Sequence, residues 1–187
     1  CATTPTNEME VIIQANKEAA ADLVARIMAQ ELRPNPALVL GLATGRTMER
    51  VYCRLVQMHR EQNLDFSLCR TFNLDEYVGL APTDPNSYRY YMNHHLFGQV
   101  NVDLRNTRLP NGMAKDLDQE CRAYEKAIRK CGGIDLQLLG IGADGVPGYP
   151  LIEVYLTGKE LRTAAEIDAS VSDFMTTARL YCSGLNF

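Results

Sequence analysis

The sequence predicts an α/β protein: a parallel sheet with helices on both faces. Two observations carry this reading. Short β-rich runs alternate with helical periodicities along the chain. The runs at 37–44 (ALVLGLAT) and 134–142 (IDLQLLGIG) are almost unbroken apolar stretches, as strands buried on both faces are. A length of 187 residues suits one domain, expected over 9–187, and is short for two independent ones.

Taken in order, 9–14 (MEVIIQ) reads as a first strand. Asn16 is a good N-cap for a helix whose apolar residues Ala20, Leu23, Val24, Ile27 and Met28 share one side. That helix ends before Pro34 and Pro36. The strand at 37–44 follows, then a helix with Met48, Val51, Tyr52, Leu55 and Met58 on one side. The run 69–74 (CRTFNL) is the next strand. Ser87 can cap a tyrosine-rich helix reaching about Phe97, and Asp116 another whose apolar side is Leu117, Cys121, Tyr124 and Ile128. Gly132 and Gly133 stop that helix before the strand at 134–142.

Composition narrows the function. A net charge of −4 supplies no basic field for nucleic acid or an acidic membrane surface. The longest apolar run, 37–43, is far too short to span a bilayer. Beginning with Cys1 rather than Met, the sequence suggests a processed or trimmed end. Its first residues have neither a basic start nor an apolar stretch, so export is not expected. The six cysteines (Cys1, Cys53, Cys69, Cys121, Cys131 and Cys182) form no C-x-x-C pair and lack a histidine at metal-ligand spacing. They are expected to be reduced thiols of a cytoplasmic protein, with Cys53, Cys121 and Cys131 packing as small apolar residues; no metal and no cofactor are expected.

Ligands of such sheets bind beyond the carboxyl ends of the strands. Three loops lie there. After 37–44, Thr44, Gly45 and Thr47 stand at the mouth of a helix, where free N–H groups, the helix dipole and two hydroxyls suit a phosphate. The same residues also suit a turn that merely caps a helix. Arg46 between them could hold an anion or take its place. After 69–74 comes Asp75-Glu76-Tyr77. A carboxylate there can act as a general base on a carbon-bound proton, or can be a solvated strand end. The third loop, GIGADG (140–145), matches G-x-G-x-x-G, with Glu166 or Asp168 at the distance expected of a ribose contact. Pro147 and Pro150 disfavour the helix that motif must open, so Asp144 reads better as a loop carboxylate facing the same crevice as Asp75. Of His94 and His95, adjacent on a helix, at most one can face a site; His59 suits the end of its helix.

The segments LGLATGRTMERVY (40–52), TFNLDEYVGL (71–80), NSYRYYMNHHLF (86–97), ECRAYEKAI (120–128) and GGIDLQLLGIGADG (132–145) together resemble glucosamine-6-phosphate deaminases. The resemblance runs from Met9 to Gly145. 6-Phosphogluconolactonases share the phosphate loop and the GIGADG turn, but TFNLDEY is the deaminase form. The resemblance implies a modified Rossmann-like fold, homo-oligomers, no metal or other cofactor, and conversion of glucosamine 6-phosphate and water to fructose 6-phosphate and ammonia. It makes Asp75 the base that moves a proton from carbon 2 toward carbon 1. Thr44, Gly45 and Thr47 would lie on the substrate phosphate, with Glu76 a further substrate contact. Asp144 would belong to the ring-opening group.

The segment 146–187 departs from this pattern. Val146 stands where the family has a histidine, no histidine follows His95, and Glu153 lacks the surroundings of the family's glutamate. The later basic phosphate ligands have no counterpart. Two rival readings follow: a sugar-phosphate-binding module with little turnover, and a lactonase-like hydrolase.

Overall fold

The structure, a computed structural model, describes residues 12–141 and 151–155, with Ile141 and the last five described by backbone alone. Among the described residues, five strands form one sheet: β1 (Val39–Leu42), β2 (Arg70–Asn73), β3 (Thr107–Arg108), β4 (Leu136–Ile141) and β5 (Leu151–Tyr155). Their order is β3-β2-β1-β4-β5; the first four run parallel and β5 runs back against β4. The helices are α1 (Lys17–Leu32), α2 (Arg46–Gln62), α3 (Tyr88–Met92) and α4 (Leu117–Lys130). A π-helical turn, Asn93–Phe97, extends α3, and a 3-10 turn, Leu104–Asn106, leads into β3.

The caps are where local chemistry places them. Side chains of Asn16, Ser87 and Asp116 accept from the N–H groups of Ala19, Tyr90 and Gln119, each filling an orphan donor of a first turn. At the far end of α4, Gly132 and Gly133 take φ of 89° and 100°, which suits residues without a Cβ.

Both faces of the sheet are covered. Leu40, Leu42, Leu136 and Leu138 share a core with α1, α2 and the π turn, while Val39 and Phe72 pack with Ile128 and Ile134 on the α4 side. Each such side chain contributes about 1.5–3 kcal/mol on full burial. Arg50 meets Glu18 at 2.7 Å and Arg54 meets Asp22 at 2.5 Å, so α1 and α2 lie side by side and run the same way. These exposed pairs fix the pairing but add little energy, about 0–1 kcal/mol each.

Four sequence expectations need correcting. Residues 12–14 are exposed and form no strand, and 9–11 lie outside the described residues. The buried stripe of α1 is Ala21, Val24, Ala25, Met28, Ala29 and Leu32, with Leu23 and Ile27 only half-buried. Alanines at every fourth position turn the helix away from the face its larger residues suggest. Cys53 and Cys121 are exposed, Cys131 is half-buried and Cys69 is buried; all four are free. Leu117 is also exposed, because among the described residues the apolar partners of α4 line its second half, around Tyr124, Ala127 and Ile128.

Candidate functional site

The sheet order places the switch point between β1 and β4: connections from β1 lead toward β2, and those into β4 cross from the other side. Parallel pairing of β1 and β2 aligns Leu42 with Asn73. Two residues beyond that pair in each chain stand Thr44 and Asp75, so register alone brings these predicted residues to one mouth.

Thr44 is half-buried and Gly45 exposed. Gly45 is the N-cap of α2 with φ 121° and ψ 163°, a backbone region essentially reserved for glycine, and no side chain caps the helix. Its carbonyl accepts from the N–H groups of Met48 and Glu49, at 3.0 and 3.4 Å. The N–H groups of Arg46 and Thr47 have no main-chain acceptor among the described residues. Two tyrosines secure the turn from behind: Tyr52 OH donates to the Ala43 carbonyl, and Tyr91 OH donates to the Gly45 carbonyl at 2.8 Å. With those carbonyls turned inward, the free N–H donors and the helix dipole face outward, which is what an anion requires.

Asp75 lies past the end of β2. Burial, and then the charge of Glu76, raise its carboxyl above the ordinary carboxylate range. The residue as a whole is exposed, so the raised value belongs to a carboxyl crowded on its inner side and open to the mouth. A carboxylate with increased basicity, open to a ligand, can take a proton from carbon.

Glu76 holds the start of α3. Its carboxylate accepts from the N–H groups of Tyr77, Tyr88 and Arg89, at 2.9, 2.8 and 2.9 Å. The expected substrate contact thus serves the start of α3, alongside Ser87. It thereby positions Tyr88, a residue that sequence reasoning passed over. Tyr88 OH donates to Tyr77 OH at 3.2 Å, with the two rings 4.8 Å apart. Burial, the Tyr77 hydroxyl and the charge of Asp75 push the Tyr88 phenol up to about 12. Tyr88 therefore stands within the field of Asp75 as a neutral phenol. The signal was present, four tyrosines in Tyr77, Tyr88, Tyr90 and Tyr91 beside the acidic pair, but periodicity does not say which one points inward.

Behind the loop, Gly79 N–H donates to the Gly112 carbonyl at 2.8 Å. Arg89 donates to the Thr107 hydroxyl and carbonyl at 2.8 and 3.1 Å and lies 5.7 Å from the Phe97 ring. Tyr124 OH donates to the Asn73 carbonyl at 2.6 Å, fixing the end of β2 from the α4 side. The His95 ring packs at a tilt of 42° against Tyr91, with ring centres 4.4 Å apart, and His94 is exposed. His59 Nδ1 lies 2.7 Å from the Leu64 carbonyl, beyond the end of α2.

Asp144, Val146, Glu166 and Asp168 lie outside the described residues. The strand that follows GIGADG runs antiparallel to β4, so the motif does not open a parallel dinucleotide-binding unit. Among the described residues, no group of three or more His, Cys, Asp or Glu side chains could hold a metal, and no helix is long and apolar enough to cross a membrane.

Comparison with known proteins places this geometry. The family described as glucosamine-6-phosphate isomerases/6-phosphogluconolactonase matches residues 13–145. A glucosamine-6-phosphate deaminase of Thermoanaerobacter sp. (strain X514) is 48% identical over 141 residues, 75% of this chain and 56% of the relative. The chain thus spans just over half the length of the curated relatives it matches. A solved structure described as a monomeric glucosamine-6-phosphate deaminase superimposes with a TM-score of 0.70 at 44% identity, covering 72% of this chain and 56% of that one. A 6-phosphogluconolactonase from Thermotoga maritima shares the fold, with TM-score 0.60 at 21% identity over 73% of this chain and 61% of its own.

Proposed function

The chain belongs to the glucosamine-6-phosphate isomerase/6-phosphogluconolactonase family, and from that premise we propose that it converts glucosamine 6-phosphate and water to fructose 6-phosphate and ammonia. The observation that carries this reading is the β1–β2 register, which brings Thr44 and Asp75 to the same end of neighbouring strands. The sequence similarity favours the deaminase over the lactonase, whose likeness to this chain is one of fold.

In the proposed mechanism the substrate phosphate rests on the free N–H groups at the start of α2, with Thr44, Gly45 and Thr47 around it. Anchoring the phosphate holds carbon 2 before Asp75, so the proton transfer becomes effectively intramolecular. Asp75 takes the carbon 2 proton and returns it at carbon 1. Its raised affinity for a proton brings it nearer the working pH of a general base. The product imine at carbon 2 takes up water and releases ammonia, which balances the overall reaction. Asp144 belongs to ring opening, a step weakened here because Val146 offers no titrating group.

That weakening favours one second reading, a sugar-phosphate-binding relative with little turnover. Ammonia release from glucosamine 6-phosphate, compared between this chain and Asp75→Asn, separates the two. Release that depends on Asp75 supports the enzyme; saturable binding without release supports the second reading, and neither binding nor release overturns both. The proposed setting is a cytoplasmic homo-oligomer. The relative described as monomeric makes sedimentation of the full chain the deciding measurement.

A further inference from the structure

Away from the mouth, a cleft of about 260 Å³ is lined by Arg70, Asn106, Arg108, Ala127, Lys130 and Cys131. Register explains how it forms. Arg70 and Phe72 point to the same face of β2, and Arg108 pairs with Phe72 on β3, so both arginines lie on the face that α4 covers. The last turn of α4 closes the cleft with Lys130. Arg70 begins β2 and Asp75 follows its other end. Five residues of extended chain separate them by roughly 15 Å, so this cleft is distinct from the mouth at Thr44.

Every charged residue of its lining is a cation. Outside the cleft, Arg26, Arg50, Arg54 and Arg105 meet carboxylates and Arg33, Arg60 and Arg89 donate to other oxygens, whereas Arg46, Arg122 and Arg129 form no ion pair among the described residues. Arg70, Arg108 and Lys130 form no ion pair among the described residues, and no carboxylate lines the cleft. Three like charges around one concavity repel one another in a protein of net charge −4 that has acidic residues to spare. A lysine at a helix C-terminus or an arginine on an edge strand is ordinary by itself. Neither role accounts for their convergence without a counter-charge. The negative end of α4 is also muted, since Cys131, Gly132 and Gly133 N–H groups occupy the carbonyls of Ala127, Arg129 and Ile128.

We propose that this cleft binds a phosphate dianion, free or carried on a small molecule. Two guanidinium forks can each grip a pair of phosphate oxygens, the ammonium supplies a third charge, and the Asn106 amide a neutral donor. The volume admits a small phosphorylated compound rather than a polymer. The inference does not depend on the deaminase reading and concerns different residues.

The test is a titration of the full ¹⁵N-labelled chain with inorganic phosphate, at ionic strength held constant with chloride, following backbone amides. Saturable shifts at Asn106, Arg108, Lys130 and Cys131 are expected, separate from any at Gly45 and Thr47. Arg108→Ala should weaken the first set by roughly tenfold, the weight of one charge-assisted hydrogen bond, and leave the second set unchanged. Arg70→Ala provides an independent variant, and both side chains are exposed, so the fold should survive. Tighter binding of glycerol phosphate than of inorganic phosphate identifies a phosphorylated metabolite as the ligand; equal binding identifies phosphate itself. Shifts confined to residues 44–48, or equal shifts with chloride alone, overturn the proposal.

Discussion

A methyl group on Gly112 would lie 2.1 Å from the Tyr77 carbonyl oxygen, a separation that neither main chain can accommodate without moving. The loop carrying Asp75 is thus braced by a glycine 37 positions away in sequence, and the Gly79 N–H bond to the Gly112 carbonyl completes the brace. Gly112→Ala should push the Asp75 loop outward. Misplacement of a catalytic group by about 1 Å costs on the order of 10²-fold in rate. Steady-state kinetics should show the loss in kcat, with little change in binding of inorganic phosphate at Thr47. An unchanged kcat would remove the brace from the argument.

Asp75→Asn keeps the side-chain shape but removes the basic oxygen. Loss of about 10²–10⁴-fold is expected, read as hydrogen exchange at carbon 2 in deuterated water. The variant should also alter stability in a defined direction. A carboxyl whose folded pKa is raised contributes stability that is complete below its unfolded pKa and lost as pH rises through the folded value. Asparagine has no such loss. The variant should therefore melt higher relative to the parent near neutrality than at acid pH, and a gap that narrows as pH rises would contradict the raised value.

Glu76 joins the acidic loop to the start of α3 by accepting hydrogen bonds from the N–H groups of Tyr88 and Arg89, and no substrate is needed for that role. Glu76→Ala should cost about 0.5–2 kcal/mol, as loss of a helix cap does, measured by denaturant unfolding. Glu76→Gln keeps one acceptor oxygen and should recover part of the loss. Full stability of the alanine variant would remove the cap from the argument.

Ring opening is the step expected to limit the reaction. Glucosamine 6-phosphate rests mainly as a closed pyranose, and acid–base help in opening it is typically worth about 10²–10⁴-fold. Val146 supplies none. An open-chain analogue should therefore react much faster than the closed sugar. Equal rates for the two would mean that another group performs the opening.

The parallel sheet and its caps were legible because their causes are local. Apolar runs mark strands buried on both faces, and Asn16, Ser87 and Asp116 each stand where a first turn lacks acceptors. Thr44 and Asp75 were legible for a related reason: each follows a readable strand, and a parallel register does the rest. What escaped was tertiary. The partners of Glu76 lie 12 and 13 residues away and leave no periodic trace. β3 is two residues long, too short for any alternation to register. The exposure of Cys53 and Cys121 depends on which part of each helix meets a neighbour, a matter that helical periodicity alone cannot decide.

The two tyrosine hydroxyls behind the β1–α2 turn have one more effect. A peptide flip there would point a carbonyl into the mouth and spoil it for an anion, but flipping at Ala43 or Gly45 breaks the bond from Tyr52 or Tyr91. The donors therefore keep their aim while the mouth is empty. On the proposed phosphate role, an anion reaching them would meet a finished surface, and capture at the pace of diffusion rather than of a rearranging loop is expected.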